Sequence, residues 1–164
     1  MASDELLAYA KGWVDMVGDL DCLIDLASHA NSIVEFGVRG AVSTWALLDG
    51  LPSDGTLLSI DISSAECSIP PRVTTDQRFT FVVGNDLEVE LPAHADLVMV
   101  DSSHLYEQTV EELKVAAAMT PDVIALHDYY LDWGGVRQAI EEFKGPYHLD
   151  FVNPSRYGLA VLRK

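Results

Sequence analysis

The chain has 164 residues, 49 % of them hydrophobic, and 26 acidic side chains against 10 basic ones, for a formal charge of −16. That suits a single domain with a sizeable core, and it disfavours nucleic acid and anionic membrane surfaces, whose phosphates the charge would repel. No apolar run reaches the roughly 18 residues of a membrane span, and the opening "MASDELLAYAKGW" lacks the basic and apolar regions of a secretory signal. The expectation is a cytoplasmic protein with no membrane partner.

In chain order, residues 1–31 form an N-terminal helical segment. Leu6, Ala10, Trp13 and Val17 fall on one helical face, Gly18 and Asp19 interrupt, and a second short helix carries Leu23, Leu26 and Ala30. From residue 32 to 164 the pattern changes to short, nearly continuous apolar runs: "SIVEF", "TLLSIDI", "FTFVVGN", "DLVMVDS" and "DVIALHD". Strands buried on both faces of a parallel sheet read this way. Helices follow the first, fourth and fifth runs, at "STWALLDGL", "YEQTVEELKVAAAM" and "GVRQAIEEFK". Gly50 is the expected stop of the first, and Pro121 lies just beyond the second. Pro70-Pro71 reduces the stretch 63–77 to a short turn. "YHLDFVN" and "YGLAVLRK", around the turn "PSR", predict an antiparallel finish. The alternation predicts an α/β, doubly wound, mostly parallel sheet.

Such sheets bind ligands beyond the carboxyl ends of their strands. The residues there are Glu35, Gly37, Arg39 and Gly40; Asp61; Asn85 and Asp86; Asp101, Ser102, Ser103 and His104; and His127, Asp128, Tyr129 and Tyr130. An acid stands at or just before most of these tips, which suggests one polar site. Gly37 and Gly40 permit a sharp turn and close ligand approach, and they would equally serve a plain strand-to-helix turn. The spacing lacks the third glycine of the dinucleotide fingerprint. Glu35 beside such a loop would repel a diphosphate and pair with an ammonium group. Cys22 and Cys67 have no metal-ligand spacing and read as idle thiols.

"VEFGVRGAVSTWALL" resembles the first motif of class I S-adenosylmethionine-dependent methyltransferases, usually E/D-x-G-x-x-x-G, with the second glycine one residue early. "DLVMVDSSHLYEQTVEELKVAA", "VIALHDYY", "GGVRQAIEEF" and "NPSRYGLAVLRK" are similar to a small bacterial subgroup with D-x-x-H-x-Y-E and H-D segments. The resemblance runs from Ile33 to the C-terminus. It implies a Rossmann-like fold, S-adenosylmethionine as cofactor and a small-molecule methyl acceptor, most simply O-methylation. Glu35 and the Gly37–Gly40 loop would hold the methionine part, Asp61 the ribose hydroxyls, and Asp86 would lie near the adenine amino group. Asp61 follows Glu35 by 26 residues, near the offset of about 20 expected of a ribose-binding acid.

An oxygen acceptor must lose its proton to a base or to a metal that lowers its pKa. Asp101 and His104 are the catalytic candidates, since an unperturbed histidine titrates near neutrality. Asp101, His127 and Asp128 are the candidate ligands of a divalent metal such as magnesium. Two objections apply to that set: imidazole is a poor magnesium ligand, and adjacent strand residues point to opposite faces. Tyr129, Tyr130 and Trp133 are candidates for an aromatic acceptor pocket. Tyr106 is expected in the core and Glu107 in the first turn of its helix. Alternative readings are a noncatalytic ligand- or partner-binding member of the same fold and a nicotinamide-dependent oxidoreductase. The N-terminal helices would cover the site or pair two copies in a homodimer.

Overall fold

The computed structural model of the chain describes residues 1–132 and 134–164. The five apolar runs become strands β1 (Ser32–Phe36), β2 (Thr56–Asp61), β3 (Phe79–Val83), β4 (Leu97–Val100) and β5 (Val123–Leu126), followed by β6 (His148–Asn153) and β7 (Leu159–Arg163). They form one sheet in the order β3-β2-β1-β4-β5-β7-β6. The β1–β5 pairings are parallel, and β7 runs antiparallel to both β5 and β6. This is the doubly wound sheet that the alternation predicts, with its antiparallel finish.

The continuous apolar runs are explained by two cores, one on each face. Ile33, Leu57, Leu97, Met99, Val123 and Ala125 point to one face. Their neighbours Val34, Val98, Val100, Ile124 and Leu126 point to the other. Because successive strand residues alternate faces, a strand with both faces covered must be apolar throughout.

Helices α1 (Asp4–Ala10), α2 (Leu20–Ser28) and α3 (Val42–Gly50) cover the first face, and α5 (Tyr106–Ala118) and α6 (Val136–Glu142) the second. The proline-rich stretch holds a single turn of helix, α4 (Pro71–Thr74). α3 lies beneath α1 and α2 and is buried from Val42 to Leu48. Gly50 is the last residue of α3 rather than the residue beyond it. A Cβ there would lie 2.2 Å from the Ile24 carbonyl oxygen, so the close crossing of α2 and α3 requires the glycine. In α5 the buried stripe is Thr109, Glu112, Leu113 and Ala116, with Tyr106, Val110 and Ala117 packed at its margin.

The N-terminal segment departs from its helical pattern. α1 ends at Ala10, and residues 11–16 form a strap of turns before a 3-10 turn at Val17–Asp19. Trp13 therefore leaves the helical face that its spacing suggests and lies against the Gly40 backbone. No helix among the described residues is long and apolar enough to cross a membrane.

Candidate active site

The strand order reverses between β1 and β4, and a cavity of about 630 Å³ opens beyond their carboxyl ends. That is where a doubly wound sheet leaves a crevice. Gly37, Gly40, Asp61, Asp86, Asp101, His104 and Asp128 all line it; Glu35 and His127 do not.

The loop after β1 forms the first wall. Gly37 has a φ of +87°, and its N–H donates to the Ile60 carbonyl at 2.8 Å. A Cβ on it would lie 2.1 Å from the Asp101 carbonyl oxygen, so glycine is required both by conformation and by the approach of β4. If Gly37 is the first glycine of E-x-G-x-x-x-G, position 41 is the second. Ala41 takes that place with a left-handed φ of 52°, the conformation that glycine adopts most easily. Gly40 is explained separately, by the Trp13 ring that a Cβ would meet at 2.4 Å.

Asp61, at the tip of β2, anchors the same loop. Its Oδ2 accepts the backbone N–H groups of Val38 (2.8 Å) and Arg39 (3.2 Å), and Oδ1 accepts that of Ser63 (3.1 Å). Burial raises its pKa, but these donors outweigh burial and hold it below the usual carboxylate value. A cluster of backbone donors favours the charged form.

Glu35 stands behind the loop, not in the cavity. Its side chain is fully buried and accepts hydrogen bonds from Ser43 Oγ (2.6 Å), Thr44 Oγ1 (2.8 Å) and Ser59 Oγ (2.6 Å). Burial pushes its pKa up to about 7 against the pull of these hydroxyls. It ties β1 to α3 and β2, and Ser43, one of its partners, stands between it and the cavity. Glu35 is a poor candidate for direct cofactor contact for that reason.

The floor is a cluster of carboxylates and imidazoles. His104 Nε2 lies 2.6 Å from Asp128 Oδ2 and 3.8 Å from Asp101 Oδ1. His127 Nδ1 lies 3.0 Å from Asp128 Oδ2 and 3.3 Å from Asp101 Oδ1, and its Nε2 lies 3.4 Å from Asp19 Oδ2. Asp101 and Asp128 lift the His104 pKa to about 9. Burial alone would depress His127, yet the carboxylates of Asp101, Asp128 and Asp19 outweigh it and lift His127 to about 12. His127 is buried behind the two cavity-facing acids, which favour its charged form, and its ring stands nearly perpendicular to that of Tyr157.

Adjacent His127 and Asp128 approach the same Asp101 because β5 ends at Leu126 and Asp128 adopts a φ of 64°. The expected metal set of Asp101, His127 and Asp128 therefore comes together, with His127 Nδ1 against both acids. Ligand atoms of Asp101, His104 and Asp128 also lie within 4.8 Å of one another. His104 thus joins Asp101 and Asp128 from the cavity side, while His127 meets the same acids from the buried side.

The far end carries a second polar group. Gln108 Nε2 donates to Asp86 Oδ1 (3.2 Å) and Glu112 Oε1 (3.0 Å), and Ser102 Oγ donates to Glu112. Burial raises the pKa of both acids. Tyr129 is buried beneath Arg137, Tyr130 packs over Gly158, and neither lines the cavity. Leu131 and Tyr157 line it instead, and Trp133 lies outside the described residues. Tyr106 donates to Glu142 Oε2 at 2.6 Å, and Glu107 occupies the first turn of α5.

Several lining residues escaped the sequence reading. Trp13, Asp15 and Met16 come from the strap, and Tyr157 from the β6–β7 turn. A signal for the strap exists in Gly12, a helix stop immediately before Trp13. Asp19 and Glu112 are visible only as charges at apolar-stripe positions. Both thiols are pushed up to about 11, chiefly by burial, so neither is ionised at neutral pH.

No protein-family model matches the chain, and no curated protein matches it in sequence. Solved structures do match in fold. The O-methyltransferase TomG from Streptomyces achromogenes, solved with S-adenosylmethionine, superposes with a TM-score of 0.72 at 18 % identity, covering 99 % of this chain and 90 % of that one. An O-methyltransferase from Bacillus cereus, in complex with S-adenosylhomocysteine, gives 0.68 at 17 %, covering 100 % and 93 %. A Podospora anserina methyltransferase bound to S-adenosylhomocysteine gives 0.75 at 14 %, covering 99 % and 88 %. The fold is the Rossmann-like methyltransferase fold.

Proposed function

We propose that the protein is an S-adenosylmethionine-dependent methyltransferase acting on a hydroxyl group of a small molecule. The observation that carries this reading is that one cavity is lined both by the Asp61-anchored glycine loop and by the Asp101–His104–Asp128 cluster. Its volume of about 630 Å³ is that of a small-molecule site. The three similar structures, each described with S-adenosylmethionine or S-adenosylhomocysteine, support the choice of cofactor. The acidity of the lining suits a cationic sulfonium and argues against nucleic acid as acceptor. A nicotinamide cofactor is disfavoured by the absent third glycine.

When bound, the cofactor supplies an electrophilic methyl group on a sulfonium. Asp61 keeps the loop shaped and offers oxygen lone pairs to the ribose hydroxyls, and Asp86 with Gln108 faces the adenine end. Asp101 and Asp128 stabilise positive charge beside the reacting centre. As the acceptor oxygen attacks the methyl carbon and the bonding electrons pass to sulfur, His104, held by Asp128, serves as the base for the acceptor hydroxyl. It does so in its neutral form, which with a pKa lifted to about 9 is the minority form at neutral pH and grows as pH rises. His127 is a positioning residue: it holds Asp101 and Asp128 in place from behind and partly neutralises them.

A second reading rests on the convergence of Asp101, His104 and Asp128. Those residues would hold a divalent cation, whose contribution would be to lower the pKa of the acceptor hydroxyl. The mixed nitrogen and oxygen donor set suits manganese or zinc better than magnesium.

Titration calorimetry with S-adenosylhomocysteine and NAD tests the cofactor, and absence of S-adenosylhomocysteine binding refutes the proposal. Methyl transfer to a panel of hydroxylated acceptors then separates the mechanisms. Chelator-sensitive turnover supports the cation. Chelator-insensitive turnover that falls roughly 10²–10⁴-fold in His104→Gln supports the base.

A further inference from the structure

The charges lining the cavity are strongly unbalanced. Asp15, Asp61, Glu66, Asp86, Asp101 and Asp128 face it, and among the described lining residues Arg39 is the one arginine or lysine. A methionyl group brings a sulfonium and an ammonium, which such a lining favours, but it also brings a carboxylate, which the lining repels. At short range in a partly desolvated cavity this repulsion is not screened by salt. His104, the other lining group that favours positive charge, is already paired with Asp128, so a cation at the mouth would offset that repulsion best.

Arg39 is built to do so. Its backbone is held between Gly37 and Gly40, with its N–H on Asp61 Oδ2 and a left-handed φ of 40°. The side chain therefore starts from a fixed point at the mouth. The guanidinium stacks 5.1 Å above the Trp13 ring, and Nη2 pairs with Asp15 of the strap. Tyr9 fixes the other side of the loop by donating to the Gly40 carbonyl at 2.8 Å. A guanidinium carries five N–H donors. Among the described residues the Arg39 side chain makes one hydrogen bond, from Nη2 to Asp15, and Nε and Nη1 remain to donate to a ligand.

We propose that Arg39 receives the α-carboxylate of the cofactor's methionyl group and so selects a carboxylate-bearing cofactor over its decarboxylated counterpart. The assignment rests on the cofactor reading above. It also gives the strap a role: Trp13 and Asp15 hold the guanidinium over the mouth, limiting the side-chain entropy lost when the carboxylate arrives.

The test compares S-adenosylmethionine with decarboxylated S-adenosylmethionine by calorimetry on the wild type and on Arg39→Met, which retains an unbranched chain to pack on Trp13. The wild type should prefer the carboxylate form by about tenfold or more, the worth of a charge-assisted hydrogen bond. Arg39→Met should lose that preference while binding the decarboxylated form within about threefold of the wild type. Arg39→Lys should restore part of the preference. Equal wild-type affinity for the two forms, or an undiminished preference in Arg39→Met, overturns the assignment while leaving the cofactor reading intact. A wild type that binds neither form removes both.

Discussion

Replacing Glu35 with glutamine should change how stability depends on pH, and the sign follows from the structure. The Glu35 carboxyl is fully buried among three hydroxyl donors, and burial lifts its pKa from 4.5 to about 7. Between these values the folded protein keeps a proton that the unfolded chain has lost. The unfolded state then binds fewer protons, so stability falls as pH rises through this window. At about 1.4 kcal/mol per pKa unit, the loss from this group approaches about 3 kcal/mol and is complete above pH 7. Glutamine is isosteric and does not titrate, and its amide can donate to Ser43, Thr44 or Ser59 once those hydroxyls rotate to accept. Urea denaturation of both proteins at pH 5 and pH 8 is the measurement. Glu112 also titrates across this range, so the quantity of interest is the difference between the two proteins in their change with pH. The wild type should lose about 3 kcal/mol more than Glu35→Gln on going from pH 5 to pH 8. Parallel losses would show that Glu35 is ionised at both pH values in the folded state, and the account of its burial would be wrong.

Gly37→Ala should be among the most damaging single substitutions, because a left-handed φ and a carbonyl oxygen 2.1 Å from the new Cβ act together. The expected loss exceeds about 4 kcal/mol, read as a collapse of soluble yield or of the melting temperature; a melting temperature within a few degrees of wild type would contradict the close approach of β4. Asp61→Ala removes an anchor of Val38 and Arg39 as well as a ribose contact. It should weaken S-adenosylhomocysteine at least about tenfold, and calorimetry showing unchanged affinity would remove Asp61 from the site.

The layout of this protein was legible in its sequence because layout depends on local periodicity. Five apolar runs separated by helical or turn segments predict a doubly wound sheet, and the position of each run's end then names the residues at the mouth. Gly37, Gly40, Asp61, Asp86, Asp101, His104 and Asp128 were all found in that way, and all line one cavity. Tertiary packing decided which way the side chains face and what charge they carry, since both depend on neighbours distant in the chain. Glu35 is one residue before the end of β1, and only the hydroxyls of α3 and β2 turn it from a candidate ligand into a buried tie. His127 and His104 are equal candidates in sequence. They separate because Asp19, more than a hundred residues away from His127, takes the far side of that ring, while Asp128 turns back on a left-handed φ to meet His104. Trp13 and Asp15 become cavity wall because the chain leaves its helix at Ala10 and crosses the glycine loop. A linear pattern carries the period of a helix or strand and the place where it stops, but not the partner that a long-range fold brings to its end.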